Sequence, residues 1–226
     1  MHDIGTALNA VRARVGELER RYHREPGSVT LLAVSKTKPP EAVRAAVAAG
    51  QHAFGENHLQ DAMTKVDALD GQGVSWHFIG AVQSNKTRPI AAHFDWVHSI
   101  EREKIATRLS AQRPAGREPL DVCIEVNVSG EDTKSGVSPA GVEPLARLVR
   151  ELPGLRLRGL MAIPCPAEDF ETQRIPFRLL REILDDLNAK GLGLDTLSMG
   201  MTADLEAAIA EGATIVRIGT AIFGPR

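Results

Sequence analysis

Between residues 29 and 219, eight short β-branched or apolar runs alternate with helix-forming stretches. The runs are 29–35, 52–55, 75–80, 94–99, 120–128, 156–163, 194–199 and 214–219. Strands that alternate with helices join through right-handed crossovers into a parallel sheet. Eight such units within 226 residues predict an α/β fold, a single (β/α)8 TIM-type barrel. An open doubly wound sheet is the competing arrangement. Connecting helices are expected at 41–49, 143–152, 177–187 and 203–210, with Pro39 and Pro40 at the entry of the first and Gly50 at its close. No Pro/Gly/Ser-rich linker interrupts the series, so residues 1–226 read as one domain.

Ahead of the first strand, Ile4, Leu8, Val11, Val15, Leu18 and Tyr22 recur at alternating steps of four and three, the stripe of an additional N-terminal amphipathic helix over about 3–24. The stripe suits packing on the chain's own barrel, and a monomer is the expected state; the other use of such a stripe is a short coiled-coil seam. Arg12, Arg14, Arg20 and Arg21 lie off it and read as a solvated face.

Composition narrows the function classes. Lys plus Arg number 27 against 29 Asp plus Glu, so the chain lacks the basic footprint of a nucleic-acid binder. Without a run of 18 apolar residues it has no membrane span, and Met1, His2, Asp3 and Ile4 do not begin a signal peptide, so a cytoplasmic location is expected. Cys123 and Cys165 are too few for a disulfide framework and are expected as buried, reduced thiols. The seven histidines show no zinc-protease spacing, and no metal site is expected.

A barrel carries its chemistry at the carboxyl ends of its strands. The first run ends Val34-Ser35-Lys36-Thr37-Lys38, and the strand period of two puts Lys36 on the face of Val34 and Leu32. An amine at the mouth of an apolar barrel loses hydrating water, which favours the neutral nucleophile of a Schiff base; the alternative is a pair of solvated loop cations, Lys36 and Lys38. The seventh run ends Ser198-Met199-Gly200-Met201-Thr202, a hydroxyl and a glycine before a helix whose free N–H groups can face an anion. The eighth ends Arg217-Ile218-Gly219-Thr220, with a fixed cation, a close-approach glycine and another hydroxyl. Taken singly, Ser198 and Thr202 also suit helix caps, and Arg217 a buried ion pair. Taken with Lys36, they describe a ligand with a phosphate and a carbonyl. Pyridoxal phosphate meets that description, and so does a phosphosugar in a Schiff-base aldolase. Residue types alone do not separate the two.

Longer motifs do. Leu32-Ala33-Val34-Ser35-Lys36-Thr37-Lys38-Pro39, Phe54-Gly55-Glu56-Asn57, Trp76-His77-Phe78-Ile79-Gly80 and Gln83-Ser84-Asn85-Lys86 occur in order. They are followed by Asn127 with Ser129-Gly130, Lys134-Ser135-Gly136, Gly159-Leu160-Met161-Ala162-Ile163-Pro164, Leu197-Ser198-Met199-Gly200-Met201 and Val216 to Gly224. Across nearly its whole length the chain resembles the pyridoxal phosphate homeostasis proteins, the YggS/PROSC family, whose barrel is similar to the N-terminal domain of alanine racemases. The resemblance implies pyridoxal 5'-phosphate held as a Schiff base on Lys36, with its phosphate on Ser198, Gly219 and Thr220 and its pyridine nitrogen approached by Arg217. Met199 and Gly200 belong to the same implied cofactor loop, Met199 against the ring or in the core. Asn57 is assigned either to the ring hydroxyl or to a helix cap.

The resemblance also implies binding rather than catalysis. An arginine accepts no proton from the ring, so the pyridine nitrogen stays unprotonated and the ring is a weaker electron sink. Racemases of this fold carry a second domain with an acid/base tyrosine; this sequence ends soon after the eighth run, and its single tyrosine is Tyr22. The expected role is buffering and delivery of the cofactor to pyridoxal phosphate-dependent apo-enzymes. The alternatives are a racemase-like enzyme and a scaffold that docks apo-enzymes. His58, Ala81-Val82 and Cys165-Pro166 depart from the usual family wording. Glu125 and Asn127 share a parity that suits support of the lysine, and Lys134 sits on a mouth loop.

Overall fold

A computed structural model describes residues 3–131 and 134–225; Met1, His2, Asp132, Thr133 and Arg226 lie outside the described residues. The strands are β1 (Thr30–Val34), β2 (Ala53–Glu56), β3 (Ser75–Phe78), β4 (Trp96–Ile100), β5 (Leu120–Glu125), β6 (Leu155–Met161), β7 (Thr196–Ser198) and β8 (Ile215–Ile218). They close into a barrel in sequence order. Closure is made by parallel pairing of β1 with β8, where Leu32 faces Arg217 and Ala33 faces Ile218. The eight expected runs are therefore the eight strands, and the open sheet is ruled out.

The helices are α1 (Ile4–Arg21), α2 (Pro40–Ala48), α3 (Leu59–Ala68), α4 (Thr87–His93), α5 (Glu103–Gln112), α6 (Pro139–Arg150), α7 (Phe170–Ala189), α8 (Leu205–Ala210) and α9 (Thr220–Phe223). Pro40 opens α2 at a position where its missing N–H is not needed. The helices expected at 143–152 and 177–187 begin earlier and contain Pro144 and Pro176 in their interiors. Each proline removes one helical hydrogen bond, and the buried faces, Val142, Leu145, Ala146 and Val149 in α6, carry the helix across the gap. Several strands end sooner than the apolar runs do, because the remaining residues turn out of the barrel lattice to build the mouth; Val126 keeps one bond to the Met161 carbonyl of β6 and an isolated bridge to Val137.

Leu8, Val11, Val15 and Leu18 of α1 are buried against the barrel, so the apolar stripe is covered by the chain's own core. Its arginines are less free than their spacing suggests. Arg12 donates to the carbonyls of Ala49 (2.8 Å) and Gly50 (2.6 Å) at the end of α2. Arg14 and Arg21 both pair with Glu206 on α8, at 2.9 and 2.6 Å. These contacts anchor α1 across the seam where β8 meets β1. Among the described residues no helix is long and apolar enough to cross a membrane.

Candidate functional site

At the carboxyl end of the barrel lies a cavity of about 520 Å³, lined among others by Lys36, Asn57, Glu125, Arg217, Gly219 and Thr220. Its wall is completed by Ile79, Gly80, Ser135, Ile163, Met201 and Thr202. Lys36 lies two residues beyond the end of β1, half-buried, and reaches the cavity beside Val34 as the strand period requires. Gly219 lies so near β1 that an added Cβ would meet the Val34 carbonyl at 3.2 Å, so a side chain there would crowd the strand carrying Lys36. Asn57 does not cap α3, whose cap position is His58. Its Oδ1 is buried without a hydrogen-bond partner among the described residues, an acceptor left for something in the cavity. His58 is exposed and faces a neighbouring cleft with Lys86 rather than the Lys36 cavity.

Ser198, Met199 and Gly200 form the loop that the resemblance gives to the cofactor. None of the three lines the cavity, and all are buried. Met199 is core. Gly200, at φ +93°, accepts from the Arg217 backbone N–H (2.9 Å) and has Ala208 where a side chain would go. Ser198 sits beneath Arg217. The guanidinium donates to the Ser198 carbonyl (2.6 Å), the Ser198 hydroxyl (2.9 Å) and the Ala162 carbonyl (2.9 Å). Because arginine only donates, the Ser198 oxygen accepts there, and the same hydroxyl shares a second hydrogen bond with His98 Nδ1 at 2.8 Å. His98 Nε2 is hydrogen-bonded to His77 Nδ1 (2.9 Å), and His77 Nε2 to Ser75 Oγ (3.2 Å). This chain of bonds crosses the barrel from β8 and β7 to β4 and β3. It engages the Ser198 hydroxyl with both Arg217 and His98. Thr202, exposed on the same loop four residues on, occupies the cavity wall in its place.

Burial sets the charges. It pushes His77 down to about 3 and His98 well below the ordinary histidine range, with His77 and Arg217 adding to the latter, so both rings are neutral. Burial pushes Arg217 down to about 10, which leaves it a cation at neutral pH. Burial also lifts Glu125 to about 7, reinforced by Glu101 and opposed by Arg217. Asn127, paired with Glu125 by parity, serves the mouth loop instead: its Nδ2 donates to the Glu131 carbonyl (2.8 Å) and its Oδ1 accepts from Gly130 N–H (3.0 Å). Cys123 is buried as expected, whereas Cys165 is only half-buried, with its Sγ 3.0 Å from Lys134 Nζ.

Residues 6–226 match the family model for the alanine racemase N-terminal domain. The chain is 59% identical to the pyridoxal phosphate homeostasis protein of Pseudomonas aeruginosa, covering all of this chain and 97% of that one. It is 50% identical to the protein of the same name from Escherichia coli, over all of this chain and 98% of that one. The chain belongs to this family. Among solved structures, PipY of Synechococcus elongatus with pyridoxal phosphate bound is 36% identical, with a TM-score of 0.84 over 98% of this chain and all of that one. Alanine racemase of Corynebacterium glutamicum, at 18% identity and a TM-score of 0.71 over 97% of this chain and 62% of that one, shares the fold. Family motifs that looked equivalent in sequence thus divide in space: Lys36, Asn57, Arg217, Gly219 and Thr220 face the cavity, while Ser198 holds Arg217 and His77 holds His98 behind it.

Proposed function

We propose that this chain binds pyridoxal 5'-phosphate on Lys36 and takes part in intracellular vitamin B6 homeostasis, buffering the cofactor and delivering it to apo-enzymes in the cytoplasm. The observation that carries the reading is the convergence of one amine, one buried cation, an unpartnered amide oxygen and the Thr202 and Thr220 hydroxyls on a single cavity. When bound, the cofactor supplies an aldehyde that an amine can hold reversibly as a Schiff base, with release of water. Lys36 is that amine. Arg217 would meet the pyridine nitrogen as a donor, Asn57 would lie at the ring oxygen, and Gly219, Thr220 and Thr202 would receive the phosphate.

The same residues favour holding over turnover. Arg217 is fastened from below by three hydrogen bonds and donates only, so it keeps the ring nitrogen unprotonated. Tyr22, the single tyrosine, donates its hydroxyl to Glu206 at 2.9 Å and lies outside the cavity. Glu125 is the carboxyl with access to the ligand, and it has no partner base opposite Lys36 among the lining residues.

In the purified protein loaded with pyridoxal phosphate, a visible Schiff-base band is expected, with the borohydride-reduced label on the Lys36 peptide; in Lys36→Ala that label disappears. A wild-type chain with no band sinks the reading. Exchange of the alanine α-proton in heavy water, abolished by Lys36→Ala, would instead establish a racemase-like activity. The phosphate assignment has its own test. Thr202→Ala is expected to weaken pyridoxal phosphate about tenfold, as for loss of one hydrogen bond to a charged group, and to leave unphosphorylated pyridoxal unchanged. Equal weakening of both ligands would show that Thr202 does not hold the phosphate.

A further inference from the structure

A buried ammonium beside the site has no part in the ligand contacts above. Lys65 of α3 is 1% exposed and paired with Glu56, which is 0% exposed. A lysine has three N–H donors, and here all are used: on the Ser35 carbonyl (2.8 Å), Glu56 Oε1 (2.7 Å) and Asp61 Oδ2 (2.8 Å). These acceptors bracket Lys36. Ser35 precedes it, and its hydroxyl donates to the same Glu56 oxygen at 2.5 Å. Thr37 follows it, and its backbone N–H donates to the same Asp61 oxygen at 3.0 Å. Ser35 N–H makes the last ladder bond, to the Gly55 carbonyl of β2 at 3.1 Å, so this cluster holds the Lys36 and Thr37 segment that strand pairing no longer holds.

Thr37 makes the need plain. Its φ is +65°, a left-handed backbone that a β-branched residue adopts only where its surroundings impose it. The bond from Thr37 N–H to Asp61 imposes it, and Lys65 holds Asp61 in turn. A buried ion pair is weak evidence for stability on its own, since apolar packing usually replaces it without loss. Here one acceptor is the Ser35 carbonyl, and the other two, Glu56 and Asp61, themselves hold the Ser35 hydroxyl and the Thr37 N–H, which apolar packing does not reproduce.

We propose that Lys65 is a positioning residue for Lys36: its ammonium clasps the backbone on both sides and fixes the direction in which Lys36 enters the cavity. The proposal rests on Lys36 as the cofactor-holding lysine. Lys65 itself touches no ligand-lining atom; it acts through Ser35, Glu56 and Asp61.

The test uses the full chain as wild type, Lys65→Met and Asp61→Asn, each mixed with pyridoxal phosphate, reduced with borohydride and mapped by peptide, at a temperature where circular dichroism shows it folded. The readout is the share of label on Lys36 against all other lysines, which a purely structural role does not move. In Lys65→Met the Lys36 share is expected to fall about tenfold or more, because small misplacements of a reacting group carry large penalties. Asp61→Asn loosens only the Thr37 side at a partly exposed carboxyl, and a smaller fall is expected; it decides the matter if Lys65→Met does not fold. Folded variants that label Lys36 as the wild type does overturn the proposal. An unlabelled wild-type chain overturns the cofactor reading, and the proposal with it.

Discussion

Glu125→Gln is expected to make the protein more stable than wild type by about 3 kcal/mol at pH 8 and to leave the two level near pH 4. The sign follows from burial. Glu125 is 8% exposed, and its carboxyl is lifted from 4.5 to about 7. The folded chain therefore binds that proton more tightly than the unfolded chain. Its stability is undiminished below the unfolded value, falls as pH rises through about 7, and is level above that. Each pH unit of difference is worth about 1.4 kcal/mol. Glutamine keeps the shape and never ionises. Burial also raises Glu56, Asp121 and Asp204, so wild type and variant share the rest of the slope, and the difference between their urea-unfolding curves at pH 5 and pH 8 isolates position 125. Parallel pH curves would refute the assignment. The functional consequence runs the same way: an ionised Glu125 in a cavity built for a phosphate ester repels its ligand, so the variant should also flatten any loss of cofactor affinity above neutrality.

Gly159→Ala is expected to cost about 4 kcal/mol or more, and to take cofactor binding with it. β6 bulges against β5 between the pairs Val122 with Leu157 and Cys123 with Gly159. The bulge brings Gly159 against the backbone of Thr196, its partner on β7. An added Cβ would collide with the Thr196 carbonyl, and a backbone atom in a closed barrel cannot swing aside. The strands must part, and β7 carries Ser198, the seat of Arg217. Gly16→Ala is the control. Its helical glycine has only the far end of Arg20 at 3.7 Å, and a gain of about 0.5–1 kcal/mol is expected there from helix propensity. Thermal unfolding of both variants decides the case; a Gly159→Ala protein that melts with wild type would mean β6 and β7 tolerate separation.

How far the chain could be read in advance depended on the distance over which each feature acts. The alternation of apolar runs and helical stripes acts over a few residues, and it specified the number, order and closure of the strands and the place of α1. The same local rules reached Lys36, Arg217, Gly219 and Thr220, because strand parity and position at a carboxyl end decide whether a side chain meets the mouth. Local rules started α6 and α7 too late, because buried faces carry both helices through Pro144 and Pro176 despite a missing hydrogen bond. They also left Asn57 divided between cap and ligand until its oxygen proved to be buried and unpartnered.

Ser198 marks the boundary. In sequence it is a hydroxyl beside a glycine at a strand end, as good an anion ligand as Thr202. What separates them is a hydrogen bond to His98, one hundred residues away, and two more from Arg217. Lys65 is the same case: four residues from Asp61 it reads as a surface helix pair, and only the packing of α3 on β1 and β2 makes it a buried clasp. Periodicity and strand-end chemistry were enough to specify the barrel and the residues at its mouth. Which polar groups line the cavity and which bond one another was decided only by barrel closure, since a buried donor must find its acceptor wherever the closed sheet brings one within reach.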